Sequence, residues 1–149
     1  MEYLVGTGVP PGSVHAFAGG PEGGIGFILE SPTSFPETLS LAWLDGAGHL
    51  TAGPFPIFET EIVADVRATS EPGGGCALLI SSAPVGPAGG RVTFLRASLD
   101  GSVIQQTVLL DRIPTVPAVP VLRWHEEYFV AAWSYPLRMG SLVCAGVTP

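Results

Sequence analysis

The chain has 149 residues, close to the size of one domain. Apolar residues make up 46% of it and charged residues 13%, against roughly 25% charged in an ordinary domain. Its 20 Gly and 15 Pro exclude a long-helix protein, because each damages a helix interior, and its apolar content excludes a disordered chain. Six Arg, no Lys and 13 acidic residues give a net charge of −7, which argues against nucleic-acid binding. Without Lys there is no phosphate-binding P-loop and no Schiff-base chemistry.

Taken in chain order, the first expected element is a strand over Glu2–Val9, followed by Pro10-Pro11. It has no basic region and no long apolar run, so the expectation is a soluble, cytoplasmic chain with no membrane contact. Strands follow near 13–18, in the apolar run that ends before Pro32, near 38–44 and near 49–57. The same series recurs near 62–68, in the run before Pro84, near 91–99 and near 103–110. It begins a third time near 118–124, in the run before Pro136 and near 141–147. Turns are expected at Gly19–Gly24, Ser70–Gly75 and His125–Glu127. Asp45-Gly46 and Asp100-Gly101 signal two-residue type I′ hairpins, which need positive φ.

These series are an internal repeat. Pro32, Pro84 and Pro136 are each 52 residues apart. Leu-Ser-Leu-Ala-Trp-Leu-Asp-Gly at 39–46 matches Phe-Leu-Arg-Ala-Ser-Leu-Asp-Gly at 94–101. In the matched segments before these prolines Trp133 takes the place of Glu30 and Ser81, and at an offset of 55 Asp45 takes that of Asp100. Four strands in a unit of about 50 residues is the period of a β-propeller blade. The third unit lacks a fourth strand, and Glu2–Val9 looks like that strand displaced to the N-terminus. The expected fold is therefore all-β: three four-stranded antiparallel blades in a single unit, over 10–60, 61–116, and 117–149 plus 1–9.

The block Pro-Ala-Val-Pro-Val-Leu-Arg-Trp-His-Glu-Glu-Tyr-Phe-Val-Ala-Ala-Trp-Ser at 117–134 resembles the repeat of bacterial β-propeller proteins. Those repeats carry a Pro-x-Val strand, a turn, and a Tyr-x-Val-x-Trp strand. Gly90–Gly101 resembles their third strand. The resemblance implies a propeller scaffold and brings no catalytic motif with it.

Propellers have roughly four to eight blades, so three blades leave sheet faces uncovered. Two copies supply six, and the expected partner is a second copy of the chain in a homodimeric six-bladed ring. The rival reading is a fragment of a longer propeller.

The candidate chemistry is sparse. His15, His49 and His125 are not at metal spacing and read as turn and surface residues. Cys76 and Cys144 lack zinc or redox spacing and read as buried strand residues. Asp45 and Asp100 read as turn residues. No Ser-His-Asp set, metal or cofactor is expected.

In a propeller, the loops joining strands two and three share one face with the loops to the next blade. Here that face carries Phe35, Phe58, Arg112, Trp133 (near its edge), Tyr135 and Arg138. Aromatic residues and Arg dominate recognition sites, so these are the candidate ligand-binding residues. The opposite face carries Glu22, Asp45, Glu71, Asp100, Glu126 and Glu127 and is expected to be solvated. Phe27, Ile28, Leu78, Leu79, Val130 and Trp133 are expected in the core. The expected function is a non-catalytic scaffold that binds a protein, peptide or glycan. The alternative is a hydrolase or lyase with a site in the central channel, drawing on His15 and Asp65.

Overall fold

A computed structural model of the chain describes residues 14–19, 24–31, 36–60, 62–83, 89–113, 118–134 and 142–147. These residues form eleven strands and no helix. Sheet 1 holds β1 (Val14–Ala18), β2 (Ile25–Ser31), β3 (Glu37–Leu44) and β4 (Leu50–Thr60). Sheet 2 holds β5 (Val63–Ser70), β6 (Cys76–Ser82), β7 (Gly90–Ala97) and β8 (Val103–Ile113). Sheet 3 holds β9 (Ala118–His125), β10 (Tyr128–Ser134) and β11 (Leu142–Val147). Each sheet is an antiparallel meander whose spatial order follows chain order. The expected N-terminal strand at Glu2–Val9 lies outside the described residues.

Side-chain alternation along a strand makes each sheet two-faced. In sheet 2 both faces are apolar, and both are covered. Cys76, Leu78 and Ile80 of β6, with Val66, Leu95 and Ala97, pack against Phe17, Ile28, Leu39, Leu41 and Trp43 of sheet 1. Ala77 and Leu79, with Val92 and Phe94, pack against Leu122, Phe129, Ala131 and Trp133 of sheet 3. All of β6 is buried, which is the mark of a strand sandwiched on both sides. The sheets thus stack in the order 1, 2, 3. Each has a front face toward the following sheet and a rear face toward the preceding one.

The stacking is not parallel. Close backbone approach between sheets involves the first strand of the following sheet, with β5 lying between β1 and β9. β2 also approaches β5, and β6 approaches β9. The sheets therefore lie closest at their first strands and fan apart toward the fourth. Aromatic contacts fill both junctions. Phe17 meets Trp43 edge-on at 5.5 Å between ring centres, and Phe129 meets Phe94 at 5.3 Å and Trp124 at 4.6 Å. The Trp43 indole N–H donates to the Leu99 carbonyl at 3.1 Å, tying sheet 1 to the β7–β8 hairpin.

Two details depart from the sequence reading. The hairpins at Asp45-Gly46 and Asp100-Gly101 form, but not as two-residue type I′ turns. In the first, the Gly48 N–H donates to the Asp45 carbonyl, and Gly48 takes φ +87°. In the second, the Gly101 N–H donates to the Ser98 carbonyl, and Gly101 takes φ +81°. Each is a four-residue turn closed by a glycine in the left-handed region, where a Cβ would be strained. Asp45 opens its turn, whereas Asp100 sits third in its own; the two are not equivalent. The two-residue hairpin is instead at Glu126-Glu127, where His125 pairs with Tyr128 and Glu126 takes φ +53°.

The second departure concerns Trp133. It points rearward onto sheet 2, on the same face as Phe129 and Ala131, whereas Ser81 lies on the front face of sheet 2 with Ala77 and Leu79. The residue that matches Trp133 in facing is Ile80. Aligning the landmark prolines places this strand one residue out, and one residue exchanges the faces of a strand.

Candidate functional site

Strands β2, β6 and β10 end, and β3, β7 and β11 begin, at one end of the sheets. Because the landmark prolines follow β2, β6 and β10 in the chain, it is here called the proline end. Since the sheets fan apart, the gap between sheets 1 and 2 is widest at β4 and β8. At the proline end it forms a cleft of about 420 Å³. Phe58, Glu59 and Thr60 from the end of β4 form one wall. Ser82, Arg91 and Thr93 form the other, with Gln106 and Val108 of β8 toward the outside. A shallower depression continues along β4 past Pro56 and shares Phe58, Glu59 and Gln106 with the cleft.

Phe58 is half-buried and packs partly on the core, so its ring is held in place while it borders the cleft. The Arg91 guanidinium is about half exposed and donates from Nε to Asp111 Oδ1 at 2.7 Å. That pairing, with the Arg112 backbone N–H and charge, lowers the Asp111 carboxyl below the usual range. Thr93 and Ser82 are buried at the floor. The cleft thus offers one aromatic ring, a guanidinium held by Asp111, an exposed carboxylate, an amide and hydroxyls.

The structure distributes the sequence candidates as follows. Phe58 lines the cleft. Arg112 lies at the same end with its side chain 85% exposed and its Nε 3.9 Å from Asp111 Oδ2, so Asp111 links it to Arg91. Trp133, expected both near the recognition face and in the core, is in the core at 2% exposure. Phe35, Tyr135 and Arg138 lie outside the described residues. Arg91, Glu59 and Gln106 were not singled out by the sequence reading, which weighed loops and passed over strand ends.

On the opposite end, Glu71 is not solvated as expected. It is 11% exposed and forms a two-pronged ion pair with Arg96, whose guanidinium also lies 5.9 Å from the centre of the Phe129 ring. The imidazoles are dispersed: His15 is 3.7 Å from Glu30, His49 is 3.1 Å from Asp45, and His125 stacks near Tyr128. Asp65 accepts from Arg67 at 3.1 Å. Among the described residues no three His, Cys, Asp or Glu gather as a metal site. Ser81 Oγ and Trp133 Nε1, both at the junction of sheets 2 and 3, have no hydrogen-bond partner among the described residues. Cys76 is buried and free, and burial, with the Glu71 charge, pushes its thiol up to about 12. Among the described residues no helix is long and apolar enough to cross a membrane.

Comparison with protein families, with curated proteins and with solved structures finds no match.

Proposed function

We propose that this chain is a three-blade unit of a β-propeller and acts as a non-catalytic binding scaffold. Three consecutive meanders, stacked face to face and closest at their first strands, support the propeller reading. In this reading two copies complete a six-bladed ring. A ligand is held at the proline end, and among protein, peptide and glycan the chemistry of the cleft favours a glycan. An aromatic ring suits the C–H face of a sugar, while carboxylate, guanidinium and amide groups suit its paired hydroxyls. Arg91 and Arg112 balance Glu59 and Asp111, so the proline end carries no net charge from these groups, which favours a neutral ligand over a strongly charged one. The cleft at Phe58 and Arg91 is the observation that carries this reading.

An array of neutral and acidic oligosaccharides tests it. Signal on neutral glycans that falls at least tenfold in Phe58→Ala and in Arg91→Ala supports the proposal. Absence of signal across the array, with the protein folded, overturns the glycan reading. The enzyme alternative would draw on His15 and Asp65, which face Glu30 and Arg67 respectively and line neither the cleft nor the depression beside it.

A further inference from the structure

The stacking within the chain supplies a template for what covers its two outer faces. The rear face of sheet 2 presents Cys76, Leu78, Leu95 and Ala97, each fully buried against the front of sheet 1. By strand register, Ile25, Phe27, Ala42 and Leu44 hold the same places on the rear of sheet 1. The residue types match, but on β2 the burial does not. Ile25 is 42% exposed where Cys76 is at 0%, and Phe27 is half-buried where Leu78 is at 0%. Among the described residues no other sheet packs on this face. It has the composition of a sheet junction; Ala42 and Leu44 on β3 are already buried, and the open part is the β2 side at Ile25 and Phe27.

The other half is recognisable from the same template. Both rear faces covered within the chain, those of sheets 2 and 3, are met by a front face. Among the described residues no sheet packs on the front of sheet 3. Toward the proline end it carries Val121, Val130 and Ala132, with Val121 43% exposed, and toward the β9–β10 hairpin it carries the exposed Arg123, His125 and Tyr128. Val121 pairs with Ala132, beside Leu122 and Ala131, which face rearward into the second junction.

We infer that the rear of sheet 1 docks on the front of sheet 3 of a second copy of this chain, and that this junction occurs twice in a closed two-copy ring. The inference rests on the propeller reading and deepens it by fixing which face meets which. A rear-to-front contact is heterologous, and such contacts close into a ring or run on as a filament. Three sheets per copy let two copies close at six, within the range that propellers adopt. A rear-to-rear dimer would instead leave both sheet 3 fronts open.

Complementation tests this with variants at positions exposed or half-buried in the single chain. Ile25→Arg spoils only the rear of sheet 1. Val121→Glu spoils only the front of sheet 3, and Ala132→Glu does so at its centre. Mass is read by light scattering on a sizing column, with circular dichroism to verify folding. The wild type is expected at twice 15.4 kDa, and each variant alone at 15.4 kDa. An equimolar mixture of Ile25→Arg with Val121→Glu is expected to return to the doubled mass, because one of its two junctions carries only native faces. A wild-type monomer overturns the dimer reading as well as this inference. A wild-type dimer that survives both front-face variants overturns the face assignment alone. Loss of glycan binding with the mass unchanged bears on the cleft and not on the ring.

Discussion

Adjacent residues Leu78 and Leu79 on β6 give the sharpest test of the stacking. Both are fully buried, yet they point to opposite faces, Leu78 toward sheet 1 and Leu79 toward sheet 3. In a sheet with one solvated face, one of two neighbours would be exposed and its truncation would cost less than about 0.5 kcal/mol. Here each Leu→Ala change removes burial of about three carbon groups at roughly 0.8 kcal/mol each. A residual cavity raises the loss to about 2–5 kcal/mol per site. Against a total stability of about 5–15 kcal/mol, either change is a large fraction, and the pair together leaves the fold marginal or lost. Urea denaturation followed by tryptophan fluorescence reads the loss, because Trp43 sits in the first junction and Trp124 and Trp133 in the second. With a slope of about 1–3 kcal/mol per molar urea, each midpoint falls by about 1–2 M. If either variant stays within about 0.5 kcal/mol of wild type, that face of β6 is open and the three-sheet stack is wrong.

Other positions give independent checks. Glu126→Gly relieves a left-handed backbone at a non-glycine residue and is expected to raise Tm by about 1–4 °C, read by calorimetry; a fall in Tm contradicts the turn geometry. In a Cys144→Ser background, the Cys76 thiol shifted to about 12 leaves about a thousandfold less thiolate at pH 8 than an ordinary thiol. Alkylation is therefore expected only on unfolding, and rapid labelling of the native protein would refute the burial. Asp100 is held down to about 2 by the Ser98 hydroxyl and the Ser102 N–H, so the stabilisation it gives the hairpin is present above pH 3.8 and lost as pH falls through about 2. An NMR titration of the Ser102 amide is expected to show a midpoint near 2, and a midpoint at or above 3.8 refutes those bonds.

Strand positions were legible in the sequence because apolar runs, turn residues and the spacing of Pro32, Pro84 and Pro136 mark them locally. Facing was less legible. A one-residue difference between units moved Trp133 from the place of Ser81 to that of Ile80, and no local signal distinguishes the two registers. The shared Asp-Gly pairs misled in the same way: Asp45 and Asp100 look equivalent, while the closing glycines Gly48 and Gly101 set the turns. In the cleft, Phe58 was found from topology. Arg91 was missed because a charge opening an apolar strand looks like an ordinary strand end, and its role depends on Asp111, twenty residues away. Glu71 and Arg96 were missed as a pair for the same reason, although a lone Arg inside the run Phe94–Ala97 is a signal that a partner must exist.

In the proposed ring, two outer sheet faces on which no other sheet packs among the described residues meet in a second copy. The molar mass of the wild-type chain in solution at micromolar concentration, by light scattering, tests that directly. A single species at twice 15.4 kDa is the result expected. A folded, monodisperse species at 15.4 kDa would contradict it.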